Sequence, residues 1–261
     1  MEIEKVVSKV KVIPKKIHYC WFGGNPLPEN AKKYIATWKK YCPDYEIIEW
    51  NEKNFDVNQN KYCKEAYEAK KWAFVSDYAR FWILYKYGGI YFDTDVEVIK
   101  SLDDIIQNGP FMGCEQDGNN KNGATAIAVA PGLGLGVNPG LGLYKEILDL
   151  YDTLHFKNGD GSLNKKTVVH YTTEILIRHG LQNINTIQKC ADIYIYPKEY
   201  FSPKDPDTGK IKITENTYTI HHFDGSWLSK WGRCKKYIKI IIQYICGEKI
   251  AKFIFKLKRR V

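Results

Sequence analysis

The hydrophobic pattern of the first fifty residues changes period twice. Residues 17–22 (IHYCWF) and residues 45–50 (YEIIEW) are apolar, aromatic runs, so both are predicted to be strands. Between them, residues 29–41 carry apolar side chains at helical spacing, and a Pro-Asp pair follows shortly after. A chain that begins strand, helix, strand favours an α/β fold with a Rossmann-like parallel sheet.

The strongest helical pattern covers residues 61–87, and Gly88-Gly89 follows where glycine commonly ends a helix. This segment is predicted to form one helix, or two helices broken near residues 72–76. An apolar strand begins directly after the glycines. Further helices are predicted at 101–107, 144–154 and 172–179, and further strands at 111–114, 193–196 and 217–221.

A glycine-rich segment, residues 130–143 (APGLGLGVNPGLGL), resembles a small internal repeat. It lacks the third glycine of a dinucleotide-binding G-x-G-x-x-G motif. We predict a pliable loop that leads into a helix, with Asn138 as the N-cap and Pro139 at the first helical position. A mobile wall of an acceptor site is the alternative.

Two aspartates interrupt the apolar pattern directly after the strand that follows Gly88-Gly89. Asp93 and Asp95 stand two residues apart, so an extended chain places both side chains on one side, with Cα atoms about 6–7 Å apart. Carboxylates are seldom buried unless they are paired or bind a metal. The pair favours a divalent cation such as Mg²⁺ or Mn²⁺, or a shared proton. A surface turn with two solvated acids remains the alternative.

Asp77 and Arg80 lie three residues apart on one face of the preceding helix. An exposed ion pair of this kind contributes little to stability. Apolar neighbours such as Phe74, Phe81 and Trp82 indicate instead that this helix is largely buried. A buried arginine requires an anionic or hydroxyl-rich partner.

Aromatic and imidazole side chains are further candidates. Tyr19 and Trp21 end the first strand, where an aromatic ring either stacks on a ligand base or fills the core. His221 and His222 end the last predicted strand, and only one of two adjacent strand residues can face a metal.

The charge of the 261-residue chain is unevenly distributed. The net charge is +9, and residues 235–261 contribute nine basic residues and one acid, so the remainder carries about +1. This distribution argues against nucleic-acid binding by the body of the protein.

The seven cysteines have no C-x-x-C spacing, which predicts reduced thiols in a cytosol. With neither a signal peptide nor a run of roughly 18–20 apolar residues, the protein is predicted to stay inside the cell.

The C-terminal tail, residues 234–261, has the pattern of a basic amphipathic helix. Lys249, Lys252 and Lys256 recur at helical spacing, and Phe253 and Leu257 fall on the other side. This pattern is typical of a segment that lies on an anionic membrane surface. A helix packed on the rest of the protein is the alternative.

Three motifs together resemble a known family. They are I-P-K-x-I-H-Y-x-W-F-G-G at 13–24, S-D-x-x-R-x-x-x-L-x-x-x-G-G-I-Y-x-D-x-D at 76–95, and H-H-x-x-G-S-W at 221–227. The set resembles the DXD-containing sugar transferases of glycosyltransferase family 32, particularly bacterial capsular-polysaccharide members. It is also similar to the glucosylating domains of the large clostridial toxins. The resemblance spans roughly residues 11–232 and implies a GT-A fold, a nucleotide-sugar donor, a divalent metal and retention of anomeric configuration. Residues 1–233 are therefore predicted to form a GT-A domain.

The resemblance also implies roles for individual residues. Asp77 and Arg80 would be catalytic and would hold the hydroxyl groups of the donor sugar. The predicted metal ligands are Asp93, Asp95 and His222, with His222 favoured over His221 because H-F-D-G matches a motif of related enzymes. The predicted nucleotide-sugar contacts are Tyr19, Cys20, Trp21, Asp77, Arg80, Tyr91, Asp93, Ser226 and Trp227. Residues 115–143 show no counterpart to the family's acceptor-side residues.

The predicted function is therefore a metal-dependent retaining glycosyltransferase. It would move a sugar, with UDP-hexose favoured over GDP-mannose, to a glycan or lipid-linked acceptor in capsular or surface polysaccharide synthesis. It would lie on the cytoplasmic face of the cell membrane. Two other classes are weighed: a haloacid-dehalogenase-like phosphatase with Asp93 as nucleophile, and a non-enzymatic basic binder of membranes or nucleic acid.

Overall fold

The computed structural model of the protein describes residues 12–118, 126–206 and 208–225. The strands are β1 Lys16–Cys20, β2 Glu46–Trp50, β3 Gly89–Tyr91, β4 Val96–Val98, β5 Phe111–Gln116, β6 Ala128–Val129, β7 Leu135–Val137, β8 Gln188–Cys190, β9 Ile193–Tyr196 and β10 Thr219–His221. The helices are α1 Glu29–Tyr41, α2 Lys61–Glu68, α3 Trp72–Tyr87, α4 Asp103–Gln107, α5 Gly142–Thr153, α6 Val168–Arg178 and α7 Lys198–Phe201.

The central sheet has eight strands in the order β2-β1-β3-β7-β5-β9-β8, with β6 paired to β5. A separate ribbon pairs β4 with β10. The predicted α/β class with a central sheet flanked by helices is confirmed. The sheet is mixed, however, because β7 is antiparallel to both β3 and β5, and β8 is antiparallel to β9.

Five strands nevertheless run in one direction. Strand β1 is parallel to β2 and β3, and β5 is parallel to β9. Because β7 is antiparallel to both β3 and β5, these two strands are parallel to each other. The carboxyl ends of β2, β1, β3, β5 and β9 therefore meet at one edge, where ligands of open α/β sheets bind.

Strand β7 corrects the prediction that residues 130–143 form a loop capped by Asn138 and Pro139. Residues 135–137 form a buried strand, and α5 begins at Gly142 with Leu141 as its N-cap. Gly136 lies so close to the ring of Phe111 that a Cβ atom would come within 2.4 Å of it. Glycine therefore permits close packing inside the sheet, and it conceals the strand from a propensity argument.

Helix α3 determines where Asp77 and Arg80 lie. The break predicted near residues 72–76 falls earlier, between the end of α2 at Glu68 and the start of α3 at Trp72. At its other end Gly88 adopts a φ of +63° and donates its N–H to the Leu84 carbonyl, which confirms the predicted glycine C-cap. The helix packs against α5 and the sheet and is buried along most of its length.

His18 is a buried histidine that connects β1 with its neighbours. Its Nδ1 accepts the indole N–H of Trp50 at 3.0 Å, so the ring hydrogen stands on Nε2, which faces the Gly88 carbonyl at 3.0 Å. Burial lowers the pKa of His18 to about 4, more than the Gly88 contact raises it. The folded state therefore prefers the neutral ring.

We expect His18 to make the protein less stable as the pH falls from about 6.5 to about 4. Because its folded pKa lies below the unfolded value, the unfolded state binds the proton first in this window, and stability falls by roughly 3 kcal/mol. Urea unfolding at a series of pH values measures the loss. His18→Gln should flatten the profile in this window. The matched control, His179→Gln at an exposed position, should keep the pH dependence of the wild type. A pH profile of His18→Gln that equals that of the wild type would contradict the prediction.

Five cysteines lie in the described part of the chain, and all are buried and free of disulfides: Cys20, Cys42, Cys63, Cys114 and Cys190. Among the described residues, no helix combines the length and the apolarity that crossing a bilayer requires.

Candidate active site

A cluster of two carboxylates and one imidazole lies beyond the end of β3. Asp93, Asp95 and His221 each offer a ligand atom, and these atoms all lie within 4.8 Å of one another. The aspartates follow β3 directly. His221 joins them because β10 pairs antiparallel with β4 and aligns His221 with Val96. Residues 126 positions apart in the chain are thus brought together by the register of one short ribbon.

Asp95 is the best-anchored member of this cluster. Its Oδ1 lies 3.1 Å from His221 Nε2, and its Oδ2 accepts the backbone N–H of Asp224 at 2.9 Å. Burial alone raises the pKa of Asp95, but the charge and hydrogen bond of His221 and the Asp224 N–H outweigh it and hold the pKa at about 2. Asp95 is therefore ionised at neutral pH.

The donor set of the cluster fits a divalent cation. Carboxylate oxygens suit Mg²⁺ and Mn²⁺, and a neutral imidazole can complete the shell of Mn²⁺. His221 Nδ1 is buried and lacks a hydrogen-bond partner among the described residues. Burial lowers the pKa of His221, but the negative charges of Asp95, Asp93 and Glu115 outweigh it and raise the pKa. An excess of negative charge around a buried imidazole is what a bound cation would offset.

The structure corrects the expectation that His222 faces the aspartates. The Nε2 of His222 lies 2.8 Å from Glu97 Oε2, and its ring stacks on Tyr34 with centroids 4.4 Å apart. Successive side chains of an extended segment point to opposite sides, so His221 and His222 cannot both face Asp95. The register of β4 and β10 selects His221.

Arg80 joins the aspartate cluster to helix α3. Its Nη2 lies 2.9 Å from Asp77 Oδ1 and 3.4 Å from Asp93 Oδ1, and its guanidinium stands 4.9 Å from the centre of the Tyr91 ring. Tyr91 in turn donates its hydroxyl to Asp93 Oδ1 at 3.2 Å. The side chain of Arg80 is only 4% exposed, so this is a buried charge network and not the surface ion pair considered from the sequence.

Asp77 has a partner on a second helix. Arg80 donates to its carboxylate, and the backbone N–H of Val168, at the start of α6, also favours the ionised form and lowers the pKa of Asp77. Burial nevertheless raises the pKa of Asp77 to about 6, because desolvation outweighs both contacts. A carboxylate held this way remains largely ionised at neutral pH and can accept hydrogen bonds from hydroxyl groups.

Tyr19, Cys20 and Trp21, the three residues predicted to contact the donor at the end of β1, lie in different environments. Cys20 is buried against Arg80 and Tyr91, and burial raises the pKa of its thiol to about 12. Tyr19 donates its hydroxyl to Glu49 at 2.7 Å and packs edge-on against Trp38. Tyr19 therefore belongs to the core, and Cys20 supports the charge network.

Trp21 lines a groove of about 850 Å³ at the ends of β1 and β2. Trp72 forms another wall, and Gly23 permits its close approach, since a Cβ atom there would lie 2.5 Å from the Trp72 ring. The remaining lining residues are Gly24, Asn25, Glu49, Asn51, Glu52, Lys53, Tyr67 and Lys70. Aromatic walls with polar groups between them suit a flat, hydrogen-bonding ligand.

Gly132 is a site residue that sequence reasoning missed. Its carbonyl accepts the N–H of Asp93 at 2.9 Å, and a Cβ atom on it would lie 1.9 Å from Asp93 Oδ2. Gly132 belongs to the glycine-rich segment that the sequence predicts to be a pliable loop or a mobile wall of an acceptor site, and it lies against Asp93. The signal was the run of glycines itself, but spacing could not identify which glycine makes the contact.

Two predicted contacts, Ser226 and Trp227, lie outside the described residues, and so does the tail at 234–261. The structure thus brings together Asp77, Arg80, Tyr91, Asp93 and Asp95 with Cys20 and His221, and it leaves His222 on the far side of the ribbon.

Part of the chain that contains this site matches a known protein family. Residues 28–112 match the family described as "Glycosyltransferase sugar-binding region containing DXD motif". The matched segment contains α3 and both aspartates. This segment of the chain is therefore similar to the DXD region of these glycosyltransferases, in agreement with the resemblance of the sequence motifs.

Particular relatives share this region. Inositol phosphoceramide mannosyltransferase 3 of Schizosaccharomyces pombe is 34% identical over 102 residues, which cover 36% of this chain and 27% of the relative. Subversion of eukaryotic traffic protein A of Legionella pneumophila is 28% identical over 111 residues, 32% of this chain and 17% of the relative. Initiation-specific alpha-1,6-mannosyltransferase of Candida albicans is 30% identical over 112 residues, 39% of this chain and 29% of the relative. The match thus spans less than a third of each of these relatives.

Solved structures show weaker likeness. The PaToxG glycosyltransferase has 22% identity and a TM-score of 0.49, with 64% of this chain and 70% of that chain covered. A glycosyltransferase that acts in glycosylation of the PBCV-1 major capsid has 11% identity and a TM-score of 0.46, with 86% and 98% covered. The similarity to glycosyltransferases therefore rests on the sequence match alone.

Proposed function

We propose that this protein is a metal-dependent, retaining glycosyltransferase that uses a nucleotide-sugar donor and a glycan or lipid-linked acceptor. One observation carries the proposal: the Asp93, Asp95 and His221 cluster adjoins the buried Asp77–Arg80 pair at the carboxyl edge of the sheet. The cluster suits a cation with a diphosphate, and the pair suits the hydroxyl groups of a sugar. The family match supports the same activity.

The arrangement of the strands suggests how a donor lies. The groove of Trp21 is formed at the ends of β1 and β2, and it would take the base. The next strand, β3, leads to Asp93 and Asp95, which would hold Mn²⁺ or Mg²⁺ and the diphosphate. Arg80 stands between Asp93 and Asp77 and would contact the sugar next to the diphosphate.

The residues of this chain have distinct tasks in such a reaction. Breaking the sugar–phosphate bond builds negative charge on the leaving diphosphate, and a bound cation would neutralise that charge. Arg80 adds a fixed positive charge, since Asp77 and Tyr91 hold its guanidinium in place. Asp77 would accept hydrogen bonds from the donor sugar and fix the orientation of the ring.

The sequence favours UDP-hexose as the donor, with GDP-mannose as the other candidate. Several relatives are named mannosyltransferases, which supports mannose as the transferred sugar. Both classes of donor therefore belong in the test.

The experiment is a donor screen with purified protein. UDP-glucose, UDP-galactose, UDP-N-acetylglucosamine and GDP-mannose are each supplied with Mn²⁺ or Mg²⁺, and nucleotide release is measured with and without EDTA. Slow release that EDTA abolishes supports the proposal, and NMR of the product reports whether the anomeric configuration is retained. Hydrolysis of simple phosphate esters without any turnover of nucleotide sugars would reject it in favour of a phosphatase.

We further propose that residues 234–261 hold the enzyme on the cytoplasmic face of an anionic membrane, where a lipid-linked acceptor would be found. The basic amphipathic pattern of these residues supports this. Co-sedimentation with anionic liposomes should be lost in a chain cut after Arg233. Unchanged binding of the shortened chain would contradict the idea.

Replacing Gly132 with alanine is expected to lower turnover about 100-fold, because the new methyl group collides with Asp93 and misplaces it by the order of an ångström. Gly142→Ala is the matched control. It lies at the start of α5 in open space, so its turnover should be unchanged. Initial rates of nucleotide release measure both variants. Full activity in Gly132→Ala would show that the Asp93 position is not critical.

A further inference from the structure

Glu115 is a carboxylate at the ligand edge of the sheet to which neither the motifs nor the donor arrangement assign a role. It lies one residue before the end of β5, whose carboxyl end shares its edge with those of β1 and β3. The side chain is partly buried, although the next residue, Gln116, is exposed. None of the hydrogen bonds and ion pairs found among the described residues fixes its carboxylate.

A β-bulge positions Glu115. Strand β5 pairs with β6 through Cys114 opposite Val129 and Gln116 opposite Ala128. An advance of two residues along β5 thus corresponds to an advance of one residue along β6, and Glu115 is the extra residue of the bulge. Bulges re-aim a side chain and are frequent beside active sites.

The charges around Glu115 locate it relative to the proposed cation site. Burial raises the pKa of Glu115, and the positive charges of His221, Lys198 and His170 lower it by less. His221 belongs to the cluster with Asp93 and Asp95. The other two charges belong to different elements: Lys198 begins α7 directly after β9, and exposed His170 lies in the first turn of α6.

The order of the strands separates Glu115 from the groove that would hold the base. Along the sheet, β2 and β1 form the groove, β3 leads to the aspartates, and β5 lies beyond β7 on the other side. Helix α6, which bears His170, starts at Val168, whose N–H lowers the pKa of Asp77. Glu115 therefore lies beyond the position of the donor sugar, on the side left for the second substrate.

We propose that Glu115 binds the attacking hydroxyl group of a saccharide acceptor, in a subsite flanked by His170 and Lys198. This inference rests on the proposed glycosyltransferase function. A carboxylate without a fixed partner in the protein is suited to accept a hydrogen bond from a sugar hydroxyl. The subsite would orient that hydroxyl toward the donor without contacting the nucleotide.

The test compares the wild-type full chain with Glu115→Gln, Glu115→Asp and an exposed control, Glu174→Gln on α6. Methyl α-mannoside, methyl α-glucoside and methyl α-galactoside serve as acceptor probes, with the best donor and metal from the screen. Three quantities are measured: the KM for the acceptor probe, the rate of donor hydrolysis by water, and the affinity for the nucleoside diphosphate with Mn²⁺.

In Glu115→Gln we expect the acceptor KM to rise about tenfold or more, as for loss of one charge-assisted hydrogen bond. Donor hydrolysis and nucleoside diphosphate affinity should fall by less than the acceptor KM rises, because Glu115 acts on the cation cluster only through the effect of its charge on His221. The melting temperature should be equal or higher, since a buried carboxylate without a fixed partner is removed. Glu115→Asp should recover part of the loss, and Glu174→Gln should match the wild type.

Other results would overturn the inference. An unchanged acceptor KM in Glu115→Gln would exclude Glu115 from the acceptor subsite. Equal losses of hydrolysis and transfer would assign it to the donor or the cation instead. The wild type could hydrolyse donors while none of the three glycosides is glycosylated and none of them inhibits that hydrolysis in a saturable way. That result would show that the subsite does not exist. A wild type that turns over no nucleotide sugar would reject the proposed function itself.

Discussion

Asp95→Asn is expected to lower sugar transfer by roughly 10²–10³-fold, comparable to the loss of one preorganised electrostatic contact to a transition state. Asp95 contacts His221 with one oxygen and the Asp224 N–H with the other, at the centre of the proposed cation site. Asparagine removes the negative charge that a divalent cation requires. Its remaining oxygen can still accept the Asp224 N–H, so the loop after β10 should keep its position.

This variant tests the cation site. Mn²⁺ binding, followed by electron paramagnetic resonance or calorimetry, should be lost together with transfer. The free energy of unfolding at pH 7 should fall by about 2 kcal/mol, because the folded state holds the Asp95 pKa at about 2 and the variant loses the pair with His221. Asp149→Asn is the matched control, because Asp149 forms an exposed ion pair with Lys145 on α5. Retained Mn²⁺ affinity and activity in Asp95→Asn would contradict the assignment of this cluster as a cation site.

Arg80→Ala is expected to destabilise the protein by about 3–5 kcal/mol, the usual cost of removing one partner from a buried ion pair. Arg80 compensates two carboxylates, Asp77 at 2.9 Å and Asp93 at 3.4 Å, and is nearly inaccessible to water. Without it, Asp77 is left buried with its Val168 contact alone. Urea unfolding at pH 7 measures the loss.

The matched control is Arg178→Ala, whose side chain is 65% exposed and pairs with Glu146. An exposed pair contributes about 0–1 kcal/mol, so this variant should unfold close to the wild type. Adding Asp77→Asn to Arg80→Ala should restore part of the stability, since one uncompensated charge is removed. An Arg80→Ala protein as stable as the wild type, or no recovery in the double variant, would show that the network does not stabilise the fold.

Much of the site could be predicted because its members are close in sequence. Asp77 and Arg80 share one helical turn, and a single strand separates Gly88-Gly89 from the aspartates, so helix and strand geometry predict their spacing. The apolar neighbours of Arg80 indicated burial, and the structure confirms it. The glycine C-cap of α3 was likewise predictable, because it depends on backbone conformation at one residue.

The choice between His221 and His222 could not be made this way. A strand end presents two adjacent side chains on opposite sides, and sequence alone does not say which side is inward. The pairing of β10 with β4 decides it, and that pairing joins segments far apart in the chain. A motif likeness favoured His222, but the register places that residue on Glu97.

The amino-acid pattern predicts the α/β class, the helix that bears Asp77 and Arg80, and the two aspartates at the end of a strand. These features depend on local periodicity and on spacings of a few residues. The folded structure was needed to show that β7 is a strand, that Gly132 adjoins Asp93, that His221 completes the cluster, and that Glu115 lies at the same edge. Each of these depends on the register of strands that pair across long stretches of chain. Because that register reflects the packing of the whole sheet, it cannot be predicted from any single segment.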